Sequence, residues 1–301
     1  MYKLSDMLNK LGVKYKKVGQ RTTDTFEKIL PFSEASEKSL IFFNKYNSDM
    51  FSKETSVILL DHSWAKSMIT YFDKKDASIF IVRNLMIVVS DMLSIMYPSE
   101  DICFEGIHPT AFIHPEARIH QSVSIGPQCY IGKCEIGENS KIYFSTVIKD
   151  DSIIGKHVVI REFCFIGGPG FGFSTDRNGY YKRMPHIGNV IIEDYVELFP
   201  YVNIDRGTLT KTLIKKGSKI DHYSHIGHNC VIGEHSLIAA NTIFSGKSSL
   251  GNNSFVGIGT MVKESVAIGS NCLIGMGSVV TSGVDNGWVA YGNPAKWVRR
   301  K

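Results

Sequence analysis

From Ile214 to Val280 a large apolar residue recurs at every sixth position, twelve times without a slip. The series is Ile214, Ile220, Ile226, Ile232, Ile238, Phe244, Leu250, Val256, Val262, Ile268, Ile274 and Val280. Four places after each, as far as Ser278, stands a small residue: Ser218, Ser224, Cys230, Ser236, Thr242, Ser248, Ser254, Thr260, Val266, Cys272 and Ser278. Neither an α-helical period nor strict two-residue alternation accounts for both columns. A fixed hexad with one large and one small inward residue predicts the flat walls of a parallel β-helix. Three walls make a coil, so about eighteen residues close one turn.

The same phase runs through Ile107, Ile113, Ile119, Ile125 and Ile131, then, after a five-residue step, from Ile136 to Ile166. With coils about 4.8 Å apart, eight or nine coils give a prism roughly 40 Å long. Two segments break the array: residues 167–186, rich in Gly and aromatics, and four extra residues between Ile204 and Ile214. Insertions in a solenoid project as loops, often on the binding face. The expected class is mainly β, with a small N-terminal α/β domain at 1–104, the repeat domain at 105–285 and a tail at 286–301. In the first domain, helical spacing covers 4–11 and 84–96, and β-like runs fall at 39–43, 56–60 and 77–82. Such a domain could cap the open edge of the prism, because exposed strand edges invite aggregation.

A net charge of +5 and a pI near 8.7 suit an anionic small molecule or an acidic surface. No basic stripe with interleaved aromatics points to nucleic acid. Lys3, Asp6 and Lys10 interrupt any signal peptide. The most apolar run, 77–90, is too short to span a bilayer and carries Arg83. A cytoplasmic protein without a transmembrane segment is therefore expected. Cys129, Cys164, Cys230 and Cys272 occupy the small inward column, where a thiol acts as a small hydrophobe. Cys103 and Cys134 fall outside it and show no zinc spacing.

The segment from Asp221 to Cys230 (DHYSHIGHNC) is the richest in titratable groups. On a β-helix its histidines do not share a face, and His222 and His228 fall on different walls. They cannot form a compact metal site within one chain, although they could across a subunit boundary. One coil beyond His228 stands Gly246, which leaves room for a ligand to approach. A neutral imidazole there is suited to take a proton from a nucleophile. Asp221 is the candidate orienting carboxylate. The loop 167–173 (GGPGFGF) lacks the Lys-Ser/Thr ending of a phosphate loop. With Phe171 and Phe173 it could grip a ligand or an acyl chain.

The stretch 167–186 (GGPGFGFSTDRNGYYKRMPH) with the following Ile187-Gly188, the run 203–209 (NIDRGTL) and the run 225–230 (HIGHNC) resemble the UDP-3-O-acyl-glucosamine N-acyltransferases of lipid A biosynthesis. The run 39–46 (SLIFFNKY) resembles a compressed form of that family's uridine-binding strand, and 82–98 resembles the helix after it. The resemblance covers nearly the whole chain and implies a left-handed β-helix. It implies His228 as the base that deprotonates the sugar amine attacking an acyl thioester, with Asp221 orienting it. It further implies Phe43 (or Phe42), Asn44 and Tyr46 at the uracil, with Phe171, Phe173, His225 and Asn229 among the substrate-binding residues. The implied assembly is a homotrimer with sites between neighbouring prisms. The substrates are a nucleotide-linked amino sugar and acyl-CoA or acyl carrier protein, with no bound cofactor or metal.

Two departures bear on the donor. The family continues into a C-terminal helical extension that engages acyl carrier protein, whereas this chain stops at Lys301. Its ending, 292–296 (GNPAK), resembles acetyl-CoA-dependent sugar acetyltransferases, where that segment lies beside CoA. Gly246, by its backbone N–H, together with Asn293 and Lys296, is thus expected at the acyl donor. Ser265 stands about where the family has a second active-site histidine. Two other readings compete. One is a γ-carbonic-anhydrase-like zinc enzyme with histidine ligands from two subunits. The other is a non-catalytic sugar-binding scaffold.

Overall fold

The computed structural model describes residues 1–19, 21–43, 57–63, 78–98 and 105–301. They fall into two compact units, Met1–Asp101 and Ile102–Lys301.

In the first unit the strands Ser39–Phe43, Val57–Asp61 and Ser78–Val82 run parallel. Lys28–Ile29 adds parallel to one side and Lys16–Val18 antiparallel to the other. Val57 to Leu60 and Ser78 to Val82 are buried without alternation, as strands covered on both faces are. The helix Leu85–Met96 buries Leu85, Val88, Val89, Met92 and Met96, the one-face spacing of an amphipathic helix. The Asp61 carboxylate accepts the Leu85 amide of its first turn at 3.2 Å. The expected helices and strands thus form within a residue or two of their sequence limits. No helix among the described residues is long and apolar enough to cross a membrane.

In the second unit the hexads form three walls of parallel two-residue strands, each paired with the strand one coil away. Ile220 lies opposite Ile238, Ile226 opposite Phe244 and Ile232 opposite Leu250. From Ile125 onward the apolar column is almost wholly excluded from solvent, giving one continuous core, while Ile107 in the first coil is 45% exposed. The small column does more than fill space. Ser218, Ser236 and Ser254 are buried, and their hydroxyls donate to the carbonyls of Gly233, Gly251 and Gly269 at 2.6, 2.8 and 3.0 Å. Corner carbonyls that would otherwise lack partners are satisfied in this way.

Cys134 corrects the sequence reading. Counted back two residues from Ile136, across the five-residue step, it falls in the inward column, and it is buried in the core. Burial pushes its thiol up to about 12. A further column, unread in the sequence, lies three places after each large residue and adopts positive φ: Asn229, His235, Asn241, Lys247, Asn253 and Asn271 turn the corners there. The fold class is the expected one.

After the last hexads, Trp288–Gly292 adds parallel to Leu273–Ile274 and turns back antiparallel as Ala295–Arg300. Trp288 and Trp297 pack at 5.2 Å, with the Arg300 guanidinium 4.4 Å from the Trp288 ring.

Candidate active site

The first insertion is a structured excursion. Phe173–Thr175 pairs antiparallel with Tyr181–Arg183, and the Asp176 carboxylate accepts the amides of Asn178 and Tyr180 in the turn. Arg206 clamps its stem: its Nε donates to the Gly167 carbonyl at 3.0 Å, and its terminal nitrogen reaches the Asp150 carbonyl. The return strand brings His186 back onto the β-helix against His228. The two rings lie edge to face, 5.0 Å apart.

Asn203 and His225 sit opposite each other on one wall. The Asn203 amide donates to Asp205 Oδ1 at 3.0 Å and to His225 Nδ1 at 2.7 Å. Since that amide nitrogen can only donate, His225 Nδ1 accepts and the ring proton stays on Nε2. Nε2 lies 3.6 Å from Asp205 Oδ2. Asp205 is 8% exposed. Burial raises its carboxyl above the usual range, opposed by His225, by the Asn203 hydrogen bond and by the charges of His228 and His186.

The four-residue insertion before Ile214 braces His228. The Asn229 side-chain oxygen accepts the Thr208 amide at 3.0 Å, and its nitrogen donates to the Thr210 hydroxyl at 3.0 Å. His228 Nδ1 lies 3.1 Å from that same Asn229 oxygen and 3.3 Å from the Thr208 hydroxyl. The amide oxygen can only accept, so the proton belongs on Nδ1 and Nε2 keeps its lone pair.

Two sequence expectations change here. Within one chain Asp221 does not orient His228; its Oδ1 lies 2.6 Å from His222 Nδ1, and Oδ2 accepts the Ala240 amide at 3.2 Å. The reason is the corner geometry: Asp221 leaves the wall before the one that leads to His228. Gly246 is indeed adjacent to His228, but the space it frees holds the imidazole itself. A Cβ on Gly246 would stand 2.5 Å from His228 Nε2.

His225, His228 and Asn229 are therefore gathered in one place. Phe171 and Phe173 pair at 5.1 Å, but Phe171 is 89% exposed and its ring does not enter the cluster. Asn293 and Lys296 lie in the C-terminal hairpin, several coils further on. Phe43 ends its strand, while Asn44 and Tyr46 lie outside the described residues. Within one chain the three nearby histidines diverge to Asp221, Asp205 and Asn229. No group of three or more His, Cys, Asp or Glu among the described residues has metal-holding geometry. Asp205, Thr208 and His186 were not singled out from sequence. A histidine closing a Gly-rich insertion was the available signal for His186. A cavity of about 1030 Å³ lies in the first unit between Tyr15, Lys16, Arg83 and Asp91. It is not at this cluster.

The family described as bacterial transferase hexapeptide (six repeats) matches residues 133–168, 211–246 and 247–282. The UDP-3-O-acylglucosamine N-acyltransferase of Campylobacter lari is 48% identical over 88 residues, 29% of this chain and 28% of that protein. The enzyme of that name from Helicobacter pylori is 37% identical over 155 residues, 45% of this chain and 46% of the relative. The one from Anaeromyxobacter dehalogenans is 28% identical over 252 residues, 74% and 68% of the two chains. The chain thus spans between about a quarter and two thirds of the length of these curated relatives. Among solved structures, the UDP-N-acetylglucosamine O-acyltransferase of Moraxella catarrhalis superposes with a TM-score of 0.59 at 29% identity, over 64% of this chain and 74% of that one. The Campylobacter jejuni UDP-N-acetylglucosamine acyltransferase gives 0.58 at 26% identity over the same shares. The resemblance read from the sequence and the β-helix of hexapeptide repeats are both borne out.

Proposed function

We propose that this chain is an N-acyltransferase, moving an acyl group from acyl-CoA or acyl carrier protein to the amine of a nucleotide-activated amino sugar. The observation that carries the reading is the state of His228. Asn229 and Thr208 hold its Nδ1, so the lone pair of Nε2 is free for a substrate proton. As the amine nitrogen attacks the thioester carbon, His228 takes one N–H proton. The tetrahedral intermediate then collapses to the amide, the C–S bond breaks, and His228 returns the proton to the departing thiolate. The backbone N–H of Gly246, which lies against His228, is the proposed donor to the oxyanion.

The first unit is proposed to take the nucleotide. Its cavity opens at the carboxyl ends of parallel strands, where open α/β sheets bind ligands, and Lys14, Lys16 and Arg83 line it. Phe43 ends its strand at that same carboxyl edge. A cytoplasmic homotrimer, with the hairpin residues Asn293 and Lys296 at the donor, completes the proposal. The relatives described above, whose names are those of UDP-3-O-acylglucosamine N-acyltransferases, support its acyl-transfer part.

The test is a panel of acyl-CoA and acyl-carrier donors offered with UDP- and dTDP-linked amino sugars. Transfer to the amine is expected, and His228→Ala should lower it by about 10²- to 10⁴-fold in a folded protein. An undiminished rate in that variant removes the mechanism.

A further inference from the structure

His186 is 7% exposed, yet its Nε2 has no hydrogen-bond partner among the described residues. Its Nδ1 lies 3.1 Å from the Met184 carbonyl, which can only accept. In the neutral ring that bond places the proton on Nδ1 and leaves a buried lone pair at Nε2. Buried polar atoms in folded proteins are almost always paired. This one belongs to a ring packed edge to face on the proposed base.

The wall opposite is built without side chains. A Cβ on Gly170 would lie 2.9 Å from His186 Nε2 and 3.0 Å from His228 Cδ2; one on Gly172 would lie 2.7 Å from His186 Cε1. Glycine at 170 therefore lets the loop backbone pass close against both imidazoles, with no side chain between them. A lone pair can receive only an N–H or O–H donor. The reacting end of an acyl thioester offers a carbonyl oxygen and a sulfur, neither of which donates. The acceptor sugar offers an amine and hydroxyls.

We infer that His186 Nε2 accepts a hydrogen bond from an N–H or O–H of the acceptor, beside the nucleophile, so that His186 is a second substrate-binding imidazole at the His228 site. The inference rests on the acyl-transfer reading above. It adds a contact that selects the acceptor and leaves the donor untouched.

The experiment compares initial rates of the wild type, His186→Leu, His186→Gln and Gly170→Ala, varying acceptor and donor separately, with thermal melts of each. His186→Leu should raise the acceptor KM and lower kcat/KM by roughly tenfold to a hundredfold, with the donor KM unmoved. His186→Gln, whose side-chain oxygen can accept, should stand at least about tenfold above His186→Leu. Calorimetric binding of the amine sugar and of its hydroxyl analogue, without donor, separates the two sources. A loss confined to the amine identifies the N–H, and an equal loss on both identifies a neighbouring O–H. An unchanged acceptor KM in His186→Leu overturns the inference, because the lone pair then meets no group of the acceptor. Equal impairment of Leu and Gln overturns it as well, since it marks a packing role. If His186→Leu does not fold, Gly170→Ala decides: an acceptor-specific loss supports the contact, and an unchanged acceptor KM removes it. A wild type silent with every acceptor is a different result, which removes the acyl-transfer reading and this inference together.

Discussion

The imidazole of His228 occupies the space that a side chain on Gly246 would fill, with Nε2 2.5 Å from where its first carbon would stand. Gly246→Ala should leave the wall intact, because the atom in conflict ends a rotatable side chain. The ring must swing away from the position from which it is proposed to take the proton. Turnover is expected to fall on the order of 10²-fold with a melting temperature close to wild type. Full activity in Gly246→Ala would show that the ring position is not critical.

Asp205 should make stability depend on pH in the sense opposite to an ordinary surface carboxylate. Its folded-state carboxyl is raised, first by burial, so folding takes up a proton between the unfolded and folded values. Stability is therefore greatest below the unfolded carboxylate value and falls as pH rises through the folded one. Asp205→Asn should flatten that decline in urea melts collected across the acidic range. A decline of the same size in the variant assigns it to other groups.

The core thiols should be inert in the native protein. Burial pushes Cys164 up to about 12 and Cys230 up to about 11, so the thiolate that alkylating agents require is scarce near neutrality. Peptide mapping after iodoacetamide treatment is expected to find both unmodified until denaturant is added. Rapid native labelling of Cys230 would mean that the coil beside His228 opens readily.

Asn241 turns a corner at φ 55°, a conformation that costs β-branched residues most. Asn241→Val is expected to destabilise by about 1–3 kcal/mol, whereas Asn241→Gly should stay within about 1 kcal/mol of wild type. Inside the wall, Ile226→Ala should cost about 2–5 kcal/mol by leaving a cavity. Chemical denaturation of the three variants gives the ranking, and an Asn241→Val protein as stable as wild type would sink the corner argument.

Most of the β-helix was legible because its walls repeat. Inward position is fixed by phase alone, and Ile226 opposite Phe244 is what an eighteen-residue coil requires. The corner column was equally periodic, but Asn, His and Lys share no single property there except the positive φ they adopt. The site was legible only where it followed the hexads. His225 and His228 do so. His186 and Thr208 come from insertions, whose return path no period dictates. Asp205 was hidden because a carboxylate one place after the inward Ile204 reads as a solvated turn until Asn203 and His225 are seen to enclose it. Asp221 misled for the converse reason: proximity in sequence means little where each hexad turns onto a new wall.

Stacked coils also make distance a matter of whole steps. From Lys219–Ile220, one hexad before His225–Ile226, the ladder passes through Leu237–Ile238, Phe255–Val256 and Leu273–Ile274 before reaching Trp288–Gly292. That is four steps, about 19 Å at the inter-strand spacing. Removing eighteen residues between Gly246 and the hairpin would draw the tail in by one pitch and preserve every inward contact type. Whatever bridges the imidazole and the tail can be lengthened or shortened only in those increments, as a rack admits a pinion tooth by tooth.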